Sequence, residues 1–143
     1  MFKKIFKKEK KENLEIKNIL IAALLIHAAK MDENYTDTEK NIIKKALINL
    51  NKINADEADD LIKRAEKKEN ESNQIVEFTR EIKKYSMEYR LKIIEVIWKI
   101  VYSDGIVYIY ETNLIRRISG LLYISDKDNG IIKNKVKNLL NKK

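Results

Sequence analysis

An all-α fold is what this sequence predicts, and three observations predict it. The chain of 143 residues holds no proline and only three glycines, so almost nothing in it breaks a helix. Its apolar residues recur at three- and four-residue spacing through most of its length. A helix–loop–helix pattern occurs twice, 72 positions apart. About seven helices in two pseudo-symmetric helix–loop–helix halves are expected, within one domain.

The first helix is expected from about Glu12 to Lys30. Its second half is apolar almost all round and should be buried. A second helix, about Asp37 to Leu50, carries Ile42, Ile43, Ala46, Leu47 and Leu50 in helical register. The third, about Ala55 to Glu69, places Ala55, Ala58, Leu61, Ile62 and Ala65 on one face. Its acids come early and its bases late, as the helix dipole favours. A fourth, about Asn73 to Tyr85, uses Ile75, Phe78, Ile82 and Tyr85. Ser86 is positioned to cap a densely apolar fifth helix, about Met87 to Ser103. The sixth runs from about Ile109 to Tyr123. Ser125 or Asp126 caps a seventh that ends near Leu140.

The domain divides into a basic segment, 1–11, and a helical body, 12–143, with the repeat at about 20–50 and 92–122. The formal charge is +8. Residues 1–12 and 126–143 each hold six lysines and two acids, a net of +4 apiece, and the body between them is neutral. The excess therefore reads as two solvated tails. No aromatic-interleaved basic face or nucleic-acid motif lies between them, so no nucleic acid is expected. In MFKKIFKKEKK, Phe2, Ile5 and Phe6 fall on one helical side among lysines. Such a segment can touch an anionic membrane weakly, at about 1 kcal/mol per surface lysine.

There is no cysteine, which excludes disulfides, thiolate metal sites and cysteine nucleophiles. The longest apolar run, 19–29, is about half of the roughly 20 residues that span a bilayer. A soluble cytoplasmic protein is expected, with peripheral contact to the inner membrane as the variant the basic segment allows. No phosphate loop, dinucleotide fingerprint or nucleophile–base set is present, so no enzymatic activity is expected. His27, on an apolar helix, reads as a core or boundary histidine, and Trp98 as packing.

The repeat carries the candidate site. LLIHAAKMDENYTDTEKNIIKKAL lies over VIWKIVYSDGIVYIYETNLIRRIS. Asp32 falls on Asp104, and Glu39 on Glu111. Ile42, Ile43, Ala46 and Leu50 fall on Leu114, Ile115, Ile118 and Leu122. Sliding apolar helices into phase is easy, whereas two acids coinciding at the same offsets is harder to obtain by chance. Two explanations stay open. Thr36 and Glu39 form a capping box, and Asp104–Gly105 suits a left-handed helix end. Alternatively, Asp32, Glu39, Asp104 and Glu111 converge on a divalent cation, Ca²⁺ or similar, which takes oxygen ligands. Glu111 has Tyr108 where its N-cap should be, so capping accounts for it less well than for Glu39. The spacing is not that of an EF-hand.

VIWKIVYSDG, the Glu111 that follows Asp104 by seven, and LIRRISGLLYIS make the chain resemble the TerB-like, tellurite-resistance-associated family. LIHAAKMDENYTDTE is a weaker first copy, and FTREIKKYSMEYRLKIIEVIW is similar to the family's linker. The resemblance covers about 14 to 128. It implies an all-helical fold of two pseudo-symmetric halves and a divalent-cation site at Asp32, Glu39, Asp104 and Glu111. It also implies a non-catalytic adaptor in stress or tellurite resistance, with an unidentified protein partner and proximity to membranes. Similar domains occur attached to J-domain co-chaperones, and no J-domain is present in this chain. Glu33 stands where the family has glycine, and Tyr108 where it has a small polar cap. The alternative function is a membrane-surface or protein-interaction module that uses the basic segment, the paired acids being structural.

Overall fold

The computed structural model describes residues 2–30, 35–72, 74–104 and 109–141, with side chains for 15–30, 35–72, 74–103 and 113–139. These residues form α1 (Phe2–Lys30), α2 (Asp37–Asn51), α3 (Ala55–Glu71), α4 (Ile75–Ile82), α5 (Met87–Val101), α6 (Ile109–Leu121) and α7 (Asp126–Asn141). A 3-10 turn, Tyr102–Asp104, follows α5. Among the described residues there is no strand, and no helix is long and apolar enough to cross a membrane.

The core is built on α1. Leu20 to Ile26, Ala28 and Ala29 are all buried, so this half of the helix is covered on every side. That coverage comes from α2, α3, α4 and α5, which all pack on it. The second dense helix, α5, buries Ile93, Ile94, Val96, Ile97, Trp98, Ile100 and Val101. The Trp98 indole N–H donates to Asn129 Oδ1 of α7 at 2.9 Å, which satisfies the one polar atom of the largest buried side chain.

Burial follows the 72-residue shift. Ile43 and Ile115 are fully buried, as are Leu25 and Ile97. Leu47 falls on Ser119, and both are fully buried too. The two helices differ on one face: Leu20 and Ala23 of α1 are buried, while the matching Lys92 of α5 is exposed and Glu95 half-buried.

Caps mark the element boundaries. Thr36, Asn54 and Ser86 each accept a hydrogen bond from the third residue of the helix they start. Asn54 and Glu57 form a full capping box. Ser125, rather than Asp126, caps α7 by accepting from the Asp128 amide at 3.1 Å. At the end of α6, Tyr123 takes a left-handed conformation, and the Ile124 amide donates to Ser119 O at 2.8 Å, the Schellman arrangement. Arg90 joins two helix ends, donating from Nε to Tyr85 O and from Nη1 to Leu122 O.

Several boundaries depart from expectation. Helix α1 begins at Phe2 rather than near Glu12, because 2–11 holds lysine and glutamate but no glycine or proline to stop it. The basic ends are helical: one is the first turns of α1, and most of the other is α7. Helix α4 stops at Ile82, short of Tyr85, because capping by Ser86 needs extended backbone just before α5. Helix α5 closes at Val101, and the 3-10 turn carries the chain to Asp104.

Candidate functional site

The first acid-bearing loop lies between α1 and α2. Lys30 ends α1, and residues 31–34, which include Asp32 and Glu33, lie outside the described residues. The chain resumes at Tyr35. Thr36 has extended backbone (φ −86°, ψ 169°), and its hydroxyl accepts from the Glu39 amide at 3.4 Å. The Thr36 half of the expected capping box is thus present. Glu39 itself is only 3% exposed, which is unusual for a carboxylate in the first turn of a helix.

The second loop follows α5. Tyr102 to Asp104 form the 3-10 turn, with Ser103 Oγ donating to Ile100 O at 2.6 Å. Residues 105–108, including Gly105 and Tyr108, lie outside the described residues, as do the side chains of Asp104 and Glu111. Backbone position is still informative. Glu39 is the third residue of α2, and Glu111 is the third residue of α6. The two glutamates therefore hold the same helical position after their loops.

Of the four acids the repeat singles out, only Glu39 has a described side chain. Among the described residues no three His, Asp or Glu side chains come together to hold a metal. Asp32, Asp104 and Glu111 fall outside that group.

The structure adds residues that periodicity alone did not single out, all on α3. Glu69 is 5% exposed and takes Lys30 Nζ at 2.7 Å and His27 Nδ1 at 3.3 Å. Lys30 also donates to Asn70 Oδ1 at 3.0 Å. One turn earlier, Glu66 accepts from the Tyr35 hydroxyl at 3.2 Å and lies 3.6 Å from Lys40 Nζ. Lys40 and Lys30 also lie over the Tyr35 ring, 4.9 and 5.9 Å from its centroid. Helix α3 thus grips both sides of the first loop: Glu69 holds the last turn of α1, and Glu66 holds the entry to α2.

This corner is electrostatically dense. Burial first, and then the adjacent Glu66 carboxylate, push the Tyr35 phenol far above its usual range; Glu39 and Glu69 add to the effect. The phenol therefore stays protonated and donates. His27 matches the expected boundary histidine, with its side chain 14% exposed and its ring 6.2 Å from that of Phe78. A signal for Glu69 exists in the sequence. The apolar stripe of α3 runs Ala58, Leu61, Ile62, Ala65, and the next position in register is Glu69.

The fold and the acid positions can be set beside known proteins. The family model described as tellurite resistance protein TerB matches residues 18–134. No curated protein and no solved structure matches the chain. The match takes in both loops, all of α2 to α6, and the buried half of α1. The chain belongs to the TerB, or tellurite resistance protein, family.

Proposed function

We propose that this chain is a non-catalytic adaptor that binds a divalent cation through its paired acids, in the setting of stress or tellurite resistance. The observation that carries the reading is positional: Glu39 and Glu111 each stand third in the helix that follows an Asp-bearing segment. Carboxylate oxygens are the ligands a hard divalent ion takes. Asp32 lies in the loop just before Glu39, and Glu111 occupies the matching helical position after the loop that carries Asp104. Glu66 and Glu69 support the reading by holding both flanks of the first loop, so less ordering remains for an ion to impose.

Thermal unfolding tests this directly. An ion at 100 times its dissociation constant stabilises by about 2.7 kcal/mol, which is roughly 5–10 °C in a domain of this size. We expect such a rise with millimolar Ca²⁺ or another divalent ion. We expect none after Asp104→Ala with Glu111→Ala. An unchanged melting temperature across the divalent series rules the cation out.

One observation favours a second reading, contact with an anionic membrane through residues 1–11. Helix α1 is continuous from Phe2, so Phe2, Ile5 and Phe6 share a helical side in an already ordered segment. This reading expects salt-sensitive binding to phosphatidylserine vesicles. It fails if deleting residues 1–11 leaves that binding unchanged.

A further inference from the structure

A groove of about 440 Å³ runs between α2 and α5, and none of the four paired acids lines it. Its apolar floor is Ile42, Ala46, Leu50 and Val96. Lys45 stands on one wall, and Lys92 and Lys99 on the other, all three exposed. The α2 residues follow i, i+4, i+8 spacing, and the α5 residues i, i+4, i+7. The groove therefore extends along about two turns of each helix, roughly 10–12 Å.

Its charge is one-sided. Glu95, the acid on the rim, is engaged by Lys135 of α7 at 3.1 Å. Lys92 lies 3.6 Å from Glu88 on an exposed turn, a weak pairing. Among the described residues Lys45 and Lys99 make no ion pair.

The repeat shows what a comparable place holds elsewhere in the chain. Shifted by 72, Lys92, Val96 and Lys99 fall on Leu20, Leu24 and His27 of α1. Ala46 and Leu50 fall on Ile118 of α6 and on Leu122, just past its end. Helix α4 packs on both α1 and α6, as α5 itself also does. It inserts Ile75, Phe78 and Ile82, all buried, and His27 faces Phe78. The corresponding faces of α5 and α2 have lysines where α1 has Leu20 and His27, and among the described residues they are left open.

We propose that the α2–α5 groove docks a short acidic amphipathic helix from a partner protein, in the manner in which α4 packs on α1 and α6. Apolar anchors at i, i+3 and i+7, the spacing of Ile75, Phe78 and Ile82, meet the floor. Carboxylates flanking them meet Lys45, Lys92 and Lys99, which fix orientation and speed encounter. The basic segment of this chain is excluded as the occupant, because six lysines would face three. The proposal deepens the adaptor reading by giving the partner a chemistry, and it does not depend on the cation.

The probe is a labelled, helix-stapled peptide of sequence 75–85 carrying Arg80→Glu, Lys83→Glu and Lys84→Glu. Its binding to the full chain is followed by fluorescence anisotropy in EDTA, so that failure of the cation reading leaves this result intact. We expect saturable binding that weakens severalfold when salt is raised from about 50 to about 300 mM. Lys92→Glu with Lys99→Glu should weaken it at least tenfold, and Lys45→Glu, on the opposite wall, severalfold. Circular dichroism confirms that each variant is folded, and Lys45→Glu alone serves if the double variant is not. Equal binding by the charge-reversed variants, equal binding of the unaltered peptide, or no binding at 1 mM overturns the proposal. So does a concentration-dependent dimer dissolved by Ala46→Arg, which would give the groove to a second copy of this chain.

Discussion

Glu69 answers two side chains from a position only 5% exposed. Removing a partner from a buried polar cluster costs more than the cluster contributes, because what is left stays desolvated. Lys30 is a third exposed and keeps Asn70, so the loss falls mainly on His27. Glu69→Ala should therefore destabilise by about 2 kcal/mol, and Glu69→Gln by less, read from denaturant midpoints. A change below about 0.5 kcal/mol would make Glu69 an ordinary surface acid. Glu69 also marks the limit of reading single residues from sequence. It stands in KKENE, a run that looks solvated, and only the register of the stripe behind it points inward. Tyr35 and Lys40 were harder still to read, because their shared partner, Glu66, is 31 residues from Tyr35.

Elements were more legible. Helices α2, α3, α5 and α6 follow from periodicity, and Thr36 and Ser86 from their side chains, because capping is a local effect. The start of α1 was not legible: no residue before Glu12 signals a beginning or forbids one. The ends of helices hold a further consequence. Lys52 closes α2 with φ 52° and ψ 47°, a left-handed conformation that costs any residue with a Cβ. It is exposed and its backbone geometry suits glycine. Lys52→Gly should raise stability by about 0.5–1 kcal/mol, a gain of a few degrees in a thermal melt. A lower melting temperature would mean that the lysine side chain matters more than the backbone strain.

Across the whole molecule, tyrosines tie distant helices, and this makes stability sensitive to alkali. Tyr89 donates to Asn51 Oδ1 at 2.9 Å, linking α5 to the end of α2. Burial first, and then Tyr85, push its phenol up to about 12. Tyr35, which links the entry of α2 to α3, shifts in the same direction. The unfolded chain releases such protons near about pH 10, while the folded chain holds them longer. Their contribution is therefore complete below about pH 10 and drains away as pH rises through about 12. The urea midpoint should hold steady from about pH 8 to 10 and then fall, with Tyr89→Phe removing part of the slope. A midpoint that falls evenly from about pH 8 would implicate other groups. The all-α class was legible at this scale because composition speaks for the entire chain. The site was only half legible: spacing named the candidate acids and the register of α3 pointed to Glu69, while no local pattern named Glu66.

The grip of α3 has a consequence for design. The described anchors that flank 31–34 are His27, Lys30, Tyr35 and Lys40, and all four are held by carboxylates of α3. One helix therefore sets the spacing of two others: a change of pitch or length in α3 between Glu66 and Glu69 would move the end of α1 and the start of α2 relative to each other.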